Sequence, residues 1–128
     1  MIICVTGTYG CTSLVHRLVY DTFSLIHTPT ILTTVYREND FTIADVPPAN
    51  PPYKCHMLIL TCQRQSDVTE IARKWLGFHK KLIVALVNAP REPPLLCPEP
   101  YFVLVDNMSR EGIQDILRLI HINKHISL

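Results

Sequence analysis

The sequence predicts an α/β domain, a mostly parallel six-stranded sheet covered by about three helices in three layers. Three observations lead to it. Apolar, β-branched runs bounded by turn residues recur along the chain, and several are continuous rather than alternating, as strands buried on both faces read. Segments with apolar residues at helical spacing lie between them. Nine of the ten prolines fall in two stretches, 46–54 and 89–100, which read as loops because proline withholds a backbone donor and pushes its predecessor toward extended shapes.

Each element has its own signal. Ile2 to Thr6 is the first strand, and GTYG turns it into a helix from Thr12 to Phe23. Leu14, Val15, Leu18, Val19 and Thr22 fall on one face of that helix, and Thr12 or Ser13 can serve its first turn. Ile31–Tyr36 and Phe41–Ala44 form two strands with a hairpin at RENDF, and Met57–Cys62 is a fourth. Ser66 is a good N-cap for a second helix reaching about Phe78, with apolar Val68, Ile71, Ala72 and Trp75 and a Glu70, Lys74 pair four apart. Strands at Leu82–Val87 and Phe102–Val105 follow. Ser109 then caps a third helix with Glu111 in its first turn and Ile113, Ile116, Leu117 and Ile120 on one face.

At 128 residues and 48% hydrophobic, residues 1–128 form one domain with a sizeable core. Twelve basic and eleven acidic residues leave a formal charge of +1, so the balance points to neither a nucleic acid nor a membrane surface as partner. The five cysteines are odd in number, and Cys4 and Cys62 sit in apolar runs where a free thiol behaves as a small hydrophobe, so reduced thiols are expected. With no leader-like start, no span-length apolar run and no lipidation signature at HINKHISL, the expected location is intracellular, cytoplasmic or nuclear.

GTYGCTS poses the chemical question. A phosphate-cradling loop wraps backbone N–H groups around phosphates and adds a lysine and a hydroxyl residue at the helix start. GCTSLVHRL resembles the GKSxLxxxL segment of a Ras-like small GTPase, with Gly10 at the last glycine, Cys11 in place of the lysine and Thr12 in place of the magnesium-binding hydroxyl. The interval from Gly7 to Gly10 is two residues shorter than in the family. HTPTILTTVYREND resembles the first switch, with Thr30 at its threonine. FTIADVPP resembles the strand ending in DTAG: Asp45 takes the metal-linked carboxylate, and Pro47-Pro48 replace the alanine-glycine pair whose N–H grips the terminal phosphate. LIVALVNAP resembles the NKxD strand, with Asn88 retained, Ala89 for the lysine and Arg91 for the guanine-reading aspartate. In VDNMSREGIQDIL, Asp106-Asn107-Met108 stand where serine-alanine-lysine would be, before Gly112-Ile113.

The resemblance therefore implies a Ras-like backbone plan with a degenerate P-loop, truncated by two family helices, and a vestigial, empty nucleotide site at Gly7, Gly10, Cys11, Thr12, Thr30, Asp45 and Asn88 with no cofactor and no resident metal. A neutral cysteine forgoes a charge-assisted phosphate contact, which is roughly twice as strong as a neutral hydrogen bond. An unpaired guanine donor costs about 1–3 kcal/mol. Such losses multiply, since each 1.4 kcal/mol is about tenfold. The expected function is that of a pseudo-GTPase, non-catalytic and acting as a protein-interaction scaffold or adaptor. The alternative is a weak residual GTPase or NTPase that places magnesium with Thr12, Thr30 and Asp45. GTYG itself reads either as a tight strand-to-helix turn or as an anion nest at a helix N-terminus.

Other residues are weighed against plainer roles. Cys11 at a helix start is the best candidate for a reactive thiol, against a small residue filling a turn. His121 and His125 can share a helix face but lack further ligands, and Asp67, Glu70 and Lys74 read as a solvated face. Trp75 reads as core or interface. The proline stretches stand where the resemblance places two helices, which leaves an apolar sheet face incompletely covered and implies a protein partner or homo-oligomer there. Alternatively PPANPPYK and APREPPLLCPEP fold back as lids, with Leu95 and Leu96 plugging part of the gap.

Overall fold

The computed structural model describes residues 1–22, 27–29, 34–38, 41–87, 102–105, 110–123 and 125. Its elements are β1 (Ile2–Gly7), α1 (Cys11–Thr22), β2 (His27–Pro29), β3 (Thr34–Glu38), β4 (Phe41–Asp45), β5 (Met57–Cys62), a 3-10 turn (Gln65–Val68) running into α2 (Thr69–Lys74), β6 (Lys81–Leu86), β7 (Phe102–Val105) and α3 (Arg110–Ile122). They build the expected α/β architecture around a mostly parallel sheet. The strand order is β2-β3-β4-β1-β5-β6-β7, with β4, β1, β5, β6 and β7 parallel and β2 and β3 antiparallel at one edge.

The sheet has seven strands, not six. The additional one is β2, three residues in HTPT that pair Thr28 with Val35 and Pro29 with Thr34. A three-residue strand is too short to show alternation, and its proline is tolerated only because the strand is an edge. The Glu38–Phe41 pairing bears out the hairpin at RENDF.

Why the central runs are continuous is clear from both faces. Ile3, Val5, Ile43, Met57, Ile59, Ile83 and Ala85 point to one side, beneath Leu14, Val15 and Leu18 of α1 and Ile113, Ile116 and Ile120 of α3. Cys4, Ala44, Leu58, Leu60, Cys62, Leu82, Val84 and Leu86 point to the other, beneath Val68, Ala72 and Trp75. Every second residue of β5 thus belongs to a different core, which is why no polar position interrupts MLIL.

The expectation of an incompletely covered face is corrected along β1, β5 and β6, where Cys4, Leu58, Leu60, Leu82, Val84 and Leu86 are at most 2% exposed. The first proline stretch folds back as a lid. Val46 and Cys55 at its ends are buried in the same core, and Tyr53 tilts against Trp75 with ring centroids 6.1 Å apart. The stretch is held by its own turn, Asn50 N–H to Pro47 carbonyl at 3.0 Å. Lys74 adds a cross-link, its Nζ donating to the carbonyls of Pro48 at 2.8 Å and Asn50 at 2.6 Å. The second stretch, with Leu95 and Leu96, lies outside the described residues.

The second helix is also shorter than its spacing suggests. It is preceded by a 3-10 turn, so Ser66 lies inside that turn and caps nothing with its side chain, while its carbonyl accepts from the Thr69 hydroxyl. Asp67, Glu70 and Lys74 are exposed, as a solvated face requires, and Trp75 is core at 1% exposure. Ser109 lies outside the described residues. Among the described residues, no helix is long and apolar enough to cross a membrane.

Candidate functional site

The order of the parallel strands reverses between β1 and β5, because the chain moves from β1 to β4 on one side and then to β5 on the other. In open parallel sheets, ligands sit outside the carboxyl ends of the strands at this reversal. Five of the seven predicted site residues, Gly7, Gly10, Cys11, Thr12 and Asp45, fall at or beside those ends: β1 stops at Gly7, β4 at Asp45, and Gly10 leads into α1. Thr30 and Asn88 lie outside the described residues.

At the reversal point the turn after β1 is tied to the end of β5. Gly7 pairs with Thr61 in the ladder, and the Thr8 N–H donates to the Thr61 carbonyl at 2.9 Å. A Cβ at Gly7 would lie 2.0 Å from that carbonyl oxygen, so only glycine permits this approach. Gly10 adopts φ +80° to turn the chain back, and its carbonyl accepts from the Leu14 N–H to open α1. The side chain of Cys11 then reaches inward and shares a hydrogen bond of 2.6 Å with the Thr61 hydroxyl. Thr61 therefore holds the turn through both its backbone and its side chain.

Thr12 and Asp45, 33 positions apart in sequence, are brought together. The Thr12 hydroxyl donates to Asp45 Oδ2 at 2.7 Å. α1 begins at Cys11, so Thr12 and Ser13 both stand in its first turn, and the Thr12 side chain is turned to β4. On the outer side, Thr12, Ser13, His16 and Arg17 line an open depression of about 400 Å³ along α1. Tyr9 projects from the turn, half exposed.

No protein-family model matches the chain, and no curated protein matches it in sequence. The site must be read from its own geometry.

Burial pushes the Cys11 thiol up to about 11, with the Asp45 carboxylate adding to the rise against the hydrogen bond from Thr61. The nucleophile is the thiolate, so this cysteine is held in its unreactive form and fills the turn. We expect alkylation of Cys11 by iodoacetamide at pH 7.5 to run about a hundredfold slower than for an ordinary exposed cysteine, measured by peptide mass spectrometry over time. Cys4, Cys55 and Cys62 are buried cysteines outside any disulfide, and the Cys55 thiol is held well above its usual value by its hydrogen bond to Cys4 and by burial. Among the described residues, no group of three or more metal-ligating side chains comes together.

Sequence reasoning passed over Thr61. A hydroxyl residue at the carboxyl end of an otherwise apolar strand marks the position, but nothing local to it says that Gly7 lies opposite. Lys74 stands on the solvated face that its spacing predicts, and its ammonium also ties α2 to the proline turn.

Proposed function

We propose that this chain is a truncated small-GTPase-like domain without nucleotide chemistry, a pseudo-GTPase that serves as a protein-interaction scaffold or adaptor. The observation that carries this reading is the engagement of the GTYGC turn by Thr61 at the strand-order reversal, where a nucleotide-binding sheet would keep its crevice. There the Thr8 amide, the close approach at Gly7 and the Cys11 side chain are all committed to β5. No lysine stands at the start of α1, and Pro48 cannot donate an N–H to a terminal phosphate. The adjacency of Thr12 and Asp45 supports ancestry in a magnesium-dependent switch, since these are the two residues that the family resemblance pairs at the metal.

A scaffold of this kind acts through its outer surface, because the apolar faces of its central strands are already buried. The large exposed apolar side chains among the described residues, Tyr9, Tyr53, Leu76 and Ile122, are spread over the first turn, the proline lid and the ends of α2 and α3. Calorimetric titration with GTP, GDP and ATP in the presence of magnesium tests the nucleotide side of the reading. We expect flat titrations, and equally flat ones for Cys11→Lys, since a restored charge neither reopens the crevice nor returns an N–H at Pro48. A dissociation constant tighter than about 10 µM for any of them would sink the proposal.

The adjacency of Thr12 and Asp45 also favours a second reading, a residual nucleotide-binding enzyme that keeps magnesium on these two groups with Thr30. That reading predicts magnesium-dependent binding that disappears in Thr12→Val.

A further inference from the structure

We propose that His56 is an acid-sensitive latch that fastens the first strand into the sheet. His56 lies immediately before β5, where three segments meet. Its backbone N–H donates to the Ile2 carbonyl at 2.9 Å, and its carbonyl accepts from the N–H groups of Lys80 and Lys81 at 3.2 and 3.1 Å. The imidazole adds a fourth bond, with the Ile2 N–H donating to His56 Nδ1 at 2.9 Å.

That fourth bond defines the state of the ring. Nδ1 accepts, so the ring proton sits on Nε2 and the imidazole is neutral. Protonation places a hydrogen on Nδ1, converts the acceptor into a donor and points it at the Ile2 N–H. The bond is then lost and the ring must turn away. Burial and the amino group at Met1 both disfavour the imidazolium and hold the His56 pKa below its ordinary value. The charged groups carried by the segments bonded to His56 are that amino group, Lys54, Lys80 and Lys81, all positive. None of them would compensate a second cation.

The sign follows from linkage. The folded-state value lies below the unfolded one, so the latch contributes fully above about pH 6.5 and is lost as pH falls from there through the folded value. Across that window the released population rises by up to about tenfold per pH unit and levels off beneath it. Released, β1 loses one hydrogen bond at its entry while the ladder from Ile3 onward stays paired with Met57 and its successors. The device therefore loosens the start of the strand and not the whole sheet.

NMR on the full chain between pH 8 and 4.5 tests it, following the His56 ring signals together with the amide shift and hydrogen-exchange protection of Ile2. In the wild type, His56 should titrate with a midpoint below 6.5, and the Ile2 protection factor should fall with the same midpoint, by up to tenfold per pH unit. His56→Asn supplies an amide oxygen that accepts without titrating, so its Ile2 protection should stay constant over the range. His56→Leu removes the acceptor and should leave Ile2 poorly protected at every pH. An Ile2 protection that ignores the His56 titration in the wild type would overturn the proposal, as would a midpoint at or above 6.5 or an Asn variant that keeps the wild-type pH dependence.

Discussion

Gly7→Ala is expected to unfold the chain or cost it more than about 4 kcal/mol, the range reserved for substitutions with a named steric cause. The added Cβ would lie 2.0 Å from the Thr61 carbonyl oxygen and 2.7 Å from the Thr61 nitrogen. Both are backbone atoms in the centre of the sheet, so relief requires β1 and β5 to part. Gly7 also has φ +149°, which side-chain-bearing residues rarely adopt. Gly77→Ala is the matched control. It too has positive φ, at +84°, but nothing lies within 4 Å of its Cβ, so it should cost only about 1–2 kcal/mol for the left-handed backbone. Urea unfolding followed by circular dichroism measures both. Comparable losses for the two would show that the approach of Gly7 to Thr61 is not the constraint described here.

The second large effect is expected at Trp75. It is the largest fully buried side chain, it closes the core over Leu58, Leu60, Leu82 and Val84, and it supports Tyr53 of the proline lid. Trp75→Ala should cost about 3–5 kcal/mol, the usual range for a buried aromatic truncated to alanine. The variant should also bind a dye for apolar surface under native conditions, because the lid loses the ring it rests on. Trp75→Phe should lose much less and remain dye-silent. If Trp75→Ala is as stable as wild type, the face beneath it is not sealed by this residue, and the earlier expectation of an open sheet surface regains its basis.

The fold was legible wherever burial on both faces wrote itself into continuous apolar runs. Met57–Cys62 and Phe102–Val105 coincide with their strands, and Ile113, Ile116 and Ile120 form the buried stripe of α3. Legibility failed where structure depends on contacts distant in the chain. β2 is built by pairing with β3, and the proline stretch becomes a lid because Lys74, Trp75 and Phe78 come to meet it, Phe78 through its carbonyl to the Cys55 N–H. Proline content reports only that a segment is irregular. It does not report what the segment covers.

The site divides in the same way. Residue types at fixed offsets singled out Gly7, Gly10, Cys11, Thr12 and Asp45, and these gather at one end of the sheet. Their partner Thr61 was hidden because its role arises from register, Gly7 opposite Thr61, which no local pattern encodes. Cys11 shows the same limit: a helix start lowers a thiol pKa, yet here burial dominates and raises it.

The central position of β1 bears on how the protein is made. Ile2–Gly7 is synthesised well before its two neighbours, β4, complete at Asp45, and β5, complete at Cys62. At a synthesis rate of about 5–20 residues per second, this apolar ribbon waits several seconds with both edges unpaired. Nascent chains of this protein are therefore most exposed to mispairing before residue 62 emerges, and chaperone demand should be concentrated in that interval.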